Sequence, residues 1–127
     1  ECVNSTPIVD GDYLYGVNRF GQLRCVELAT GRHVWESFAA TTGNRSANSG
    51  TGFLVKNGDR YFIFSETGDL VIAELSPQGY VEKSRAHLID PSNEAFGRDV
   101  VWCHPAFAQK AVFVRNDKEL VAYSLAK

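Results

Sequence analysis

A twenty-residue segment of the chain recurs, and this internal repeat limits the fold more than any other feature of the sequence. Residues 9–28 (VDGDYLYGVNRFGQLRCVEL) align with residues 55–75 (VKNGDRYFIFSETGDLVIAEL), with one extra residue near the start of the second copy. The Gly-Asp pair at 11–12 returns at 58–59, a shift of 47 residues. The same shift relates Tyr15 to Phe62, Gly21 to Gly68, Leu23 to Leu70, Glu27 to Glu74 and Leu28 to Leu75.

A third and weaker copy lies near the end of the sequence. At a shift of 98 residues, Pro7 pairs with Pro105, Tyr15 with Phe113 and Asn18 with Asn116. A repeat of this length is typical of the blades of a β-propeller, each of which is one supersecondary unit that must bury its faces against its neighbours.

Each copy consists of short apolar runs separated by polar turns that contain glycine, a pattern typical of β-hairpins. The run Tyr61–Phe64 (YFIF) does not alternate with polar residues, which indicates a sheet covered on both faces. No segment has convincing helical periodicity. Only residues 93–96, after Pro91, would allow a single helical turn, and Gly97 would end it.

We therefore predict an all-β chain forming a single domain of about three four-stranded antiparallel blades. The blades should span about 1–38, 50–86 and 100–127. Closed propellers have four to eight blades, so the sequence predicts a partial propeller or one half of a dimeric ring. An open arc would leave apolar blade faces that favour association.

The composition excludes several classes of partner. The net charge of −2 gives no basic surface for nucleic acid or anionic lipid. No apolar run approaches the length of a transmembrane helix. The three cysteines, Cys2, Cys25 and Cys103, do not have the spacing of a zinc site, and we interpret them as small buried side chains, with a disulfide at Cys2 left open.

Candidate chemical motifs are few. Cys103 and His104 adjoin in the string WCHP, which aligns with the opening strand of a blade, but neighbours on a strand point to opposite faces and do not readily share one site. The acidic residues do not cluster as calcium ligands would. We therefore expect no cofactor. The polar connections at 39–50 and 87–99, together with the turn that contains Arg19 and Phe20, are the loops expected to bind a partner. The candidate partner-binding residues are Arg19, Phe20, Arg45, Phe96 and Arg98.

Two stretches of the first copy resemble the blade motif of the pyrroloquinoline-quinone-like (PQQ-like) repeat family. They are Ser5–Tyr15 (STPIVDGDYLY) and Leu23–Trp35 (LRCVELATGRHVW), in which Thr30, Gly31 and Trp35 match the family motif. The resemblance implies that these three residues dock neighbouring blades, with the tryptophan packed on the next blade. The second copy departs from the motif, because SPQGYVEK follows Leu75 without a tryptophan.

The resemblance implies a function as well as a fold. Cofactor-free members, such as the BamB-type lipoproteins of outer-membrane assembly, bind proteins in the bacterial periplasm. We therefore expect a non-catalytic scaffold for protein–protein interaction in a bacterial cell envelope. One alternative is a fragment of a PQQ-dependent quinoprotein dehydrogenase, although the adjacent-cysteine pair of that group and a calcium cluster are missing. Another is a carbohydrate-binding propeller that uses exposed aromatics such as Phe20, Phe38 or Phe96.

Overall fold

The computed structural model describes residues 1–126, which form thirteen β-strands and no helix. This confirms the prediction of an all-β chain. The strands are β1 (Ile8–Asp10), β2 (Tyr13–Val17), β3 (Leu23–Glu27), β4 (His33–Ser37), β5 (Gly52–Asn57), β6 (Arg60–Ser65), β7 (Asp69–Ser76), β8 (Gly79–His87), β9 (Asn93–Ala95), β10 (Arg98–Val100), β11 (Ala106–Ala108), β12 (Ala111–Arg115) and β13 (Leu120–Ser124).

The strands form four small antiparallel sheets in which each strand pairs with the next one along the chain. We call β1–β4 the first sheet, β5–β8 the second sheet and β11–β13 the third sheet; β9 and β10 form a separate hairpin. Within the described residues the third sheet has three strands, where about four were predicted. Residues 93–95, where one helical turn was conceivable, form a strand instead.

The repeat in the sequence is also a repeat in backbone conformation. Gly11 and Gly58 occupy the turns after β1 and β5 with φ angles of 60° and 63°. Gly21 and Gly68 occupy the turns after β2 and β6 with φ angles of 86° and 87°. Side chains other than hydrogen rarely tolerate these angles, so the glycines recur because the turns recur.

Two apolar clusters hold the sheets together, and the second sheet contributes to both. On β6, Tyr61 and Ile63 belong to the cluster shared with the first sheet, while Phe64 belongs to the cluster shared with the third sheet. Phe62 packs beside Phe64 on that second side. Successive side chains of a strand point to opposite faces, so an uninterrupted apolar run results when both faces are covered.

Polar contacts between sheets join the apolar packing. The Tyr61 hydroxyl donates to an Asp10 carboxylate oxygen at 2.5 Å, which joins the second sheet to the first. The Tyr123 hydroxyl donates to the carbonyl oxygen of Leu88 at 2.7 Å, which joins the third sheet to the connection after β8. Each of the two phenol groups thus has a hydrogen-bond partner for its polar tip.

Replacing turn glycines with alanine should destabilise the fold by different amounts at different turns. A Cβ atom at Gly68 would lie 1.8 Å from the carbonyl oxygen of Ile89, in addition to the strain of the φ angle, whereas a Cβ atom at Gly58 would meet nothing within 4 Å. Gly68→Ala should therefore lower the free energy of unfolding by about 3 kcal/mol or more, and Gly58→Ala by only about 1 kcal/mol. Urea unfolding followed by tryptophan fluorescence measures both; equal losses would contradict the close approach at Gly68.

Candidate functional site

The segments that link one sheet to the next gather at one end of the molecule, because consecutive antiparallel strands place alternate turns at opposite ends. We call this end the connection end. It comprises residues 18–22, 38–51, 66–68, 88–105 and 116–119. The opposite end, which we call the hairpin end, comprises the turns at 11–12, 28–32, 58–59, 77–78 and 109–110.

Two asparagines related by the repeat build equivalent turns at the connection end. The Asn18 side-chain oxygen accepts hydrogen bonds from the amides of Phe20 and Gln22, at 2.9 and 3.0 Å. The Asn116 side-chain oxygen accepts from the amides of Lys118 and Glu119, both at 2.8 Å. Asparagine favours such turns because its short side chain can replace a backbone acceptor.

The first of these turns carries two of the predicted partner-binding residues. The carbonyl of Phe20 accepts from the amide of Ala47 at 3.0 Å, and the carbonyl of Arg19 accepts from the amide of Gly50 at 3.2 Å. The turn is therefore fixed to the connection between the first and second sheets. The Arg19 guanidinium lies 5.1 Å from the centre of the Phe20 ring, a cation–π contact, and Phe20 is 43% exposed.

A buried glutamate organises the centre of the connection end. Glu66 is only 2% exposed, and its carboxylate accepts hydrogen bonds from three residues of two other segments. Arg98 donates to it through Nε at 2.9 Å and through Nη2 at 3.0 Å. The backbone amide of Thr51 donates at 3.1 Å and the indole of Trp102 at 3.2 Å. A buried charge is tolerated when it is paired and its remaining oxygen lone pairs are occupied, as here.

Three predicted partner-binding residues surround one groove of about 210 Å³. Arg45, Phe96 and Arg98 line it together with residues 46–48 and Gly97. The Arg98 guanidinium is engaged within the protein, since besides its bonds to Glu66 it also donates to the carbonyl of Asn48 at 2.7 Å. Arg45 and Phe96 are exposed. The groove thus offers one solvated cation and one aromatic ring, above a buried ion pair that holds the groove together.

Phe96 has an unusual conformation for an aromatic residue. It lies in the turn between β9 and β10 with a φ of 52°, and its side chain is 66% exposed. The centre of its ring is 6.3 Å from that of Trp102. Bulky residues rarely occupy the left-handed region, and where they do the strain is often associated with a functional site.

The three predicted blade-docking residues lie in two different places. The Trp35 indole donates to the carbonyl of Ser76 on β7 at 2.7 Å, so it bridges the first and second sheets. Thr30 and Gly31 lie in the exposed turn between β3 and β4, where Thr30 donates to Glu27 and Gly31, with a φ of 73°, donates its amide to the Glu27 carbonyl. Their hydrogen bonds stay within the first sheet.

Cys103 and His104 both contact the cluster between the second and third sheets. Cys103 packs against it, and the His104 ring centre lies 4.2 Å from that of Phe53, one of its members. The string was predicted to open a strand. It precedes β11 instead, because Pro105 has no amide hydrogen to donate to a ladder. All three cysteines are free thiols, and burial raises the pKa of the Cys25 thiol and thereby lowers its reactivity.

His87, at the end of β8, lies between two carboxylates. Its Nδ1 is 2.7 Å from Asp69 and its Nε2 is 2.7 Å from Asp90. Arg85 also reaches Asp69, at 3.1 Å, and donates to the carbonyl of Ala39 at 2.6 Å. The hydrogen bonds to Asp69 and then to Asp90 raise the pKa of His87. Only the protonated ring can donate to both carboxylates at once.

Sequence reasoning missed Glu66 and His87. Glu66 occupies the repeat position that Arg19 holds in the first copy. This change from a basic to an acidic residue was the signal in the sequence that could have drawn attention to Glu66. Nothing in the sequence pairs Glu66 with Arg98, which lies 32 residues later.

No model of a known protein family matches the sequence, and no curated protein shows significant similarity to it.

Residues 1–126 contain no group of three or more His, Cys, Asp or Glu side chains arranged to hold a metal ion. Within the same residues there is no helix with the length and apolar character needed to cross a bilayer.

The buried ion pair predicts a large loss on neutralisation. Glu66→Gln leaves the Arg98 guanidinium, whose side chain is only 16% exposed, without an opposite charge, and should lower the free energy of unfolding by about 3 kcal/mol. The matched control is Glu74→Gln, which removes an exposed pair with Lys83 (3.1 Å) and should cost less than about 1 kcal/mol. Urea titration compares the two; a loss at Glu66 no larger than that at Glu74 would overturn the role assigned to the buried carboxylate.

The hydrogen bonds of His87 to Asp69 and Asp90, which we call the His87 clamp, predict a contribution to stability that depends on pH. The pKa of His87 is raised in the folded state, so the clamp stabilises fully below the unfolded pKa, about 6.5, and its contribution is lost as pH rises through the folded value. His87→Gln should therefore lose more stability at about pH 5.5 than at about pH 8.5, by up to about 1 kcal/mol because the clamp is half exposed. Thermal melts of the two proteins at both pH values measure this, with His33→Gln, which removes an exposed histidine from β4, as the matched control.

Proposed function

We propose that the chain is a run of three β-propeller blades of the PQQ-like repeat type, and that it acts as a non-catalytic scaffold that binds proteins at its connection end. The repeat and its Thr30, Gly31 and Trp35 motif support the family. Three antiparallel meanders stacked through two apolar clusters support blades. A bacterial periplasmic or envelope location rests on the resemblance alone.

The observation that carries the binding function is the exposed ring of Phe96 beside the groove. This aromatic side chain lies on a strained turn, beside Trp102 and two residues from Arg98, which pairs with the buried Glu66. We propose that these contacts hold the ring in place before a partner binds. Aromatic residues that are rigid before binding lose little entropy, and they are enriched among the residues that dominate binding energy.

The charge at the groove indicates the chemistry of the partner. Arg45 is solvated at its edge, and none of the described residues that line the groove is acidic. Arg19 and the partly exposed Phe20 form a second pair of the same kind on the neighbouring turn. A peptide segment with acidic and apolar side chains would complement both pairs.

The outer faces of the first and third sheets support the idea of a larger ring. On the first sheet Val9 is paired with Leu14, and Leu14 with Val26, on the face away from the second sheet. On the third sheet Phe113 lies between Ala106 and Ala122 on the corresponding outer face. We propose that further blades cover these faces, supplied either by a second copy or by more of a longer chain.

The binding function is tested by selecting peptides from a random phage-displayed library on the immobilised chain. Light scattering first establishes whether the sample is a single 14.0 kDa chain or a dimer, so that the stoichiometry is defined. Selected peptides should be rich in acidic and apolar residues. Phe96→Gly removes the ring and suits the positive φ, so it should fold and weaken the best peptide by about tenfold or more. Arg45→Glu should do the same through its charge.

The control for both variants is Val81→Ser, which removes a 51% exposed apolar side chain from β8 and should bind as the wild type does. Failure to enrich any peptide, or equal binding by all four proteins, would refute the scaffold proposal. Two ligand titrations separate the alternatives. Saturable binding of PQQ with calcium would favour a quinoprotein fragment, and oligosaccharide binding abolished by Phe96→Gly would favour a carbohydrate-binding propeller.

A further inference from the structure

A second concave surface lies at the hairpin end, between the second and third sheets. This cleft has a volume of about 450 Å³, within the usual range for a small-molecule site. Its walls are Val55, Phe62, Phe107 and Leu125. The Phe62 and Phe107 rings stack on one another, with centres 4.9 Å apart and an angle of 17° between their planes. The walls therefore present a continuous apolar surface.

The mouth of the cleft is polar and carries positive charge. It is formed by Lys56, Asn57, Gln109 and Lys110, and no acidic residue is among the described residues that line the cleft. The Lys56 ammonium lies 2.6 Å from an Asp10 carboxylate oxygen, which offsets its charge. Lys110 thus supplies the cation that an entering anion would meet, beside two amide side chains that can donate hydrogen bonds.

The turn that carries Lys110 is strained. Gln109 and Lys110 form the two-residue connection between β11 and β12 with φ angles of 50° and 58°. Asparagine and glycine are the usual residues in such a turn, because both central positions require a positive φ. The carbonyl of Lys110 accepts from the amide of Leu125 at 2.7 Å, which holds the turn against the wall of the cleft. Strain of this kind is often associated with ligand sites.

We propose that this cleft binds a small organic carboxylate with an apolar body. The apolar body lies against Phe62 and Phe107, and the carboxylate lies at the mouth beside Lys110. Apolar walls with one cation at the rim match such an amphipathic anion, whereas a neutral lipid would leave the cation unused. The site lies at the opposite end from the Phe96 groove and does not depend on the scaffold function.

The probe is 8-anilinonaphthalene-1-sulfonate, an aromatic anion whose fluorescence rises in apolar sites, and decanoate is the competitor. The wild-type chain should bind one probe per chain, and decanoate should displace it. Lys110→Glu should weaken binding of both ligands by about tenfold or more, because an attractive charge at the mouth of the cleft becomes a repulsive one. The matched control is Lys118→Glu in the turn after β12, at the connection end, which should bind as the wild type does.

A second variant tests the apolar walls. Val55→Trp leaves the charge unchanged and fills the cleft, since Val55 is the cross-strand partner of Phe62, and it should abolish binding of the probe. Decanol serves as the neutral analogue and should displace the probe at least about tenfold less effectively than decanoate. The proposal is overturned if the probe does not saturate at one per chain, if Lys110→Glu and Lys118→Glu bind equally, or if decanol matches decanoate.

Discussion

The burial of both faces of the second sheet is the constraint on which the rest of the structure depends. Each of the other two large sheets packs one face against it, and neither packs on the other within the described residues. Tyr61 and Ile63 serve one interface while Phe64 serves the other, so a single strand takes part in both cores. Any change that tilts β6 is therefore felt by all three sheets.

The two ends of the molecule differ in how their segments are held together. At the connection end, irregular segments are held by polar bonds that converge on Glu66, because long connections cannot satisfy their backbone groups by strand pairing alone. At the hairpin end, the strands are joined by short turns. Residues at positive φ shape turns at both ends, as Gly21 and Gly58 show, so the connection end differs in its network of side-chain hydrogen bonds.

Much of the fold could be predicted from the sequence, since a repeat reports local structure that is used more than once. The strand-forming runs, the turns at Gly21 and Gly68 and the absence of helix in the described residues all follow from local pattern. The five residues predicted to bind a partner all lie at the connection end, because turns and connections of a meander alternate between its ends.

The features that escaped prediction depend on contacts between segments that are distant in sequence. The Glu66–Arg98 pair joins the second copy of the repeat to a segment outside it. Arg98 of this pair lies on β10, in a hairpin formed where one helical turn was conceivable, with Phe96 at a positive φ that no propensity would favour. The groove beside Arg45 forms only when these distant segments are in contact, so it could not be predicted from local sequence patterns.

Pairing of every strand with its immediate neighbour has a consequence for how the chain folds. Each hairpin closes a short loop, and contacts of low sequence separation form quickly. The first sheet can thus assemble while later residues are still being synthesised, yet Tyr15, Leu23 and Cys25 stay uncovered until the second sheet arrives. The second sheet exposes apolar side chains on both faces before it docks. Docking of the second sheet on the first covers one of these faces, and the other stays uncovered until the third sheet forms, so partly synthesised chains expose apolar surface that favours aggregation.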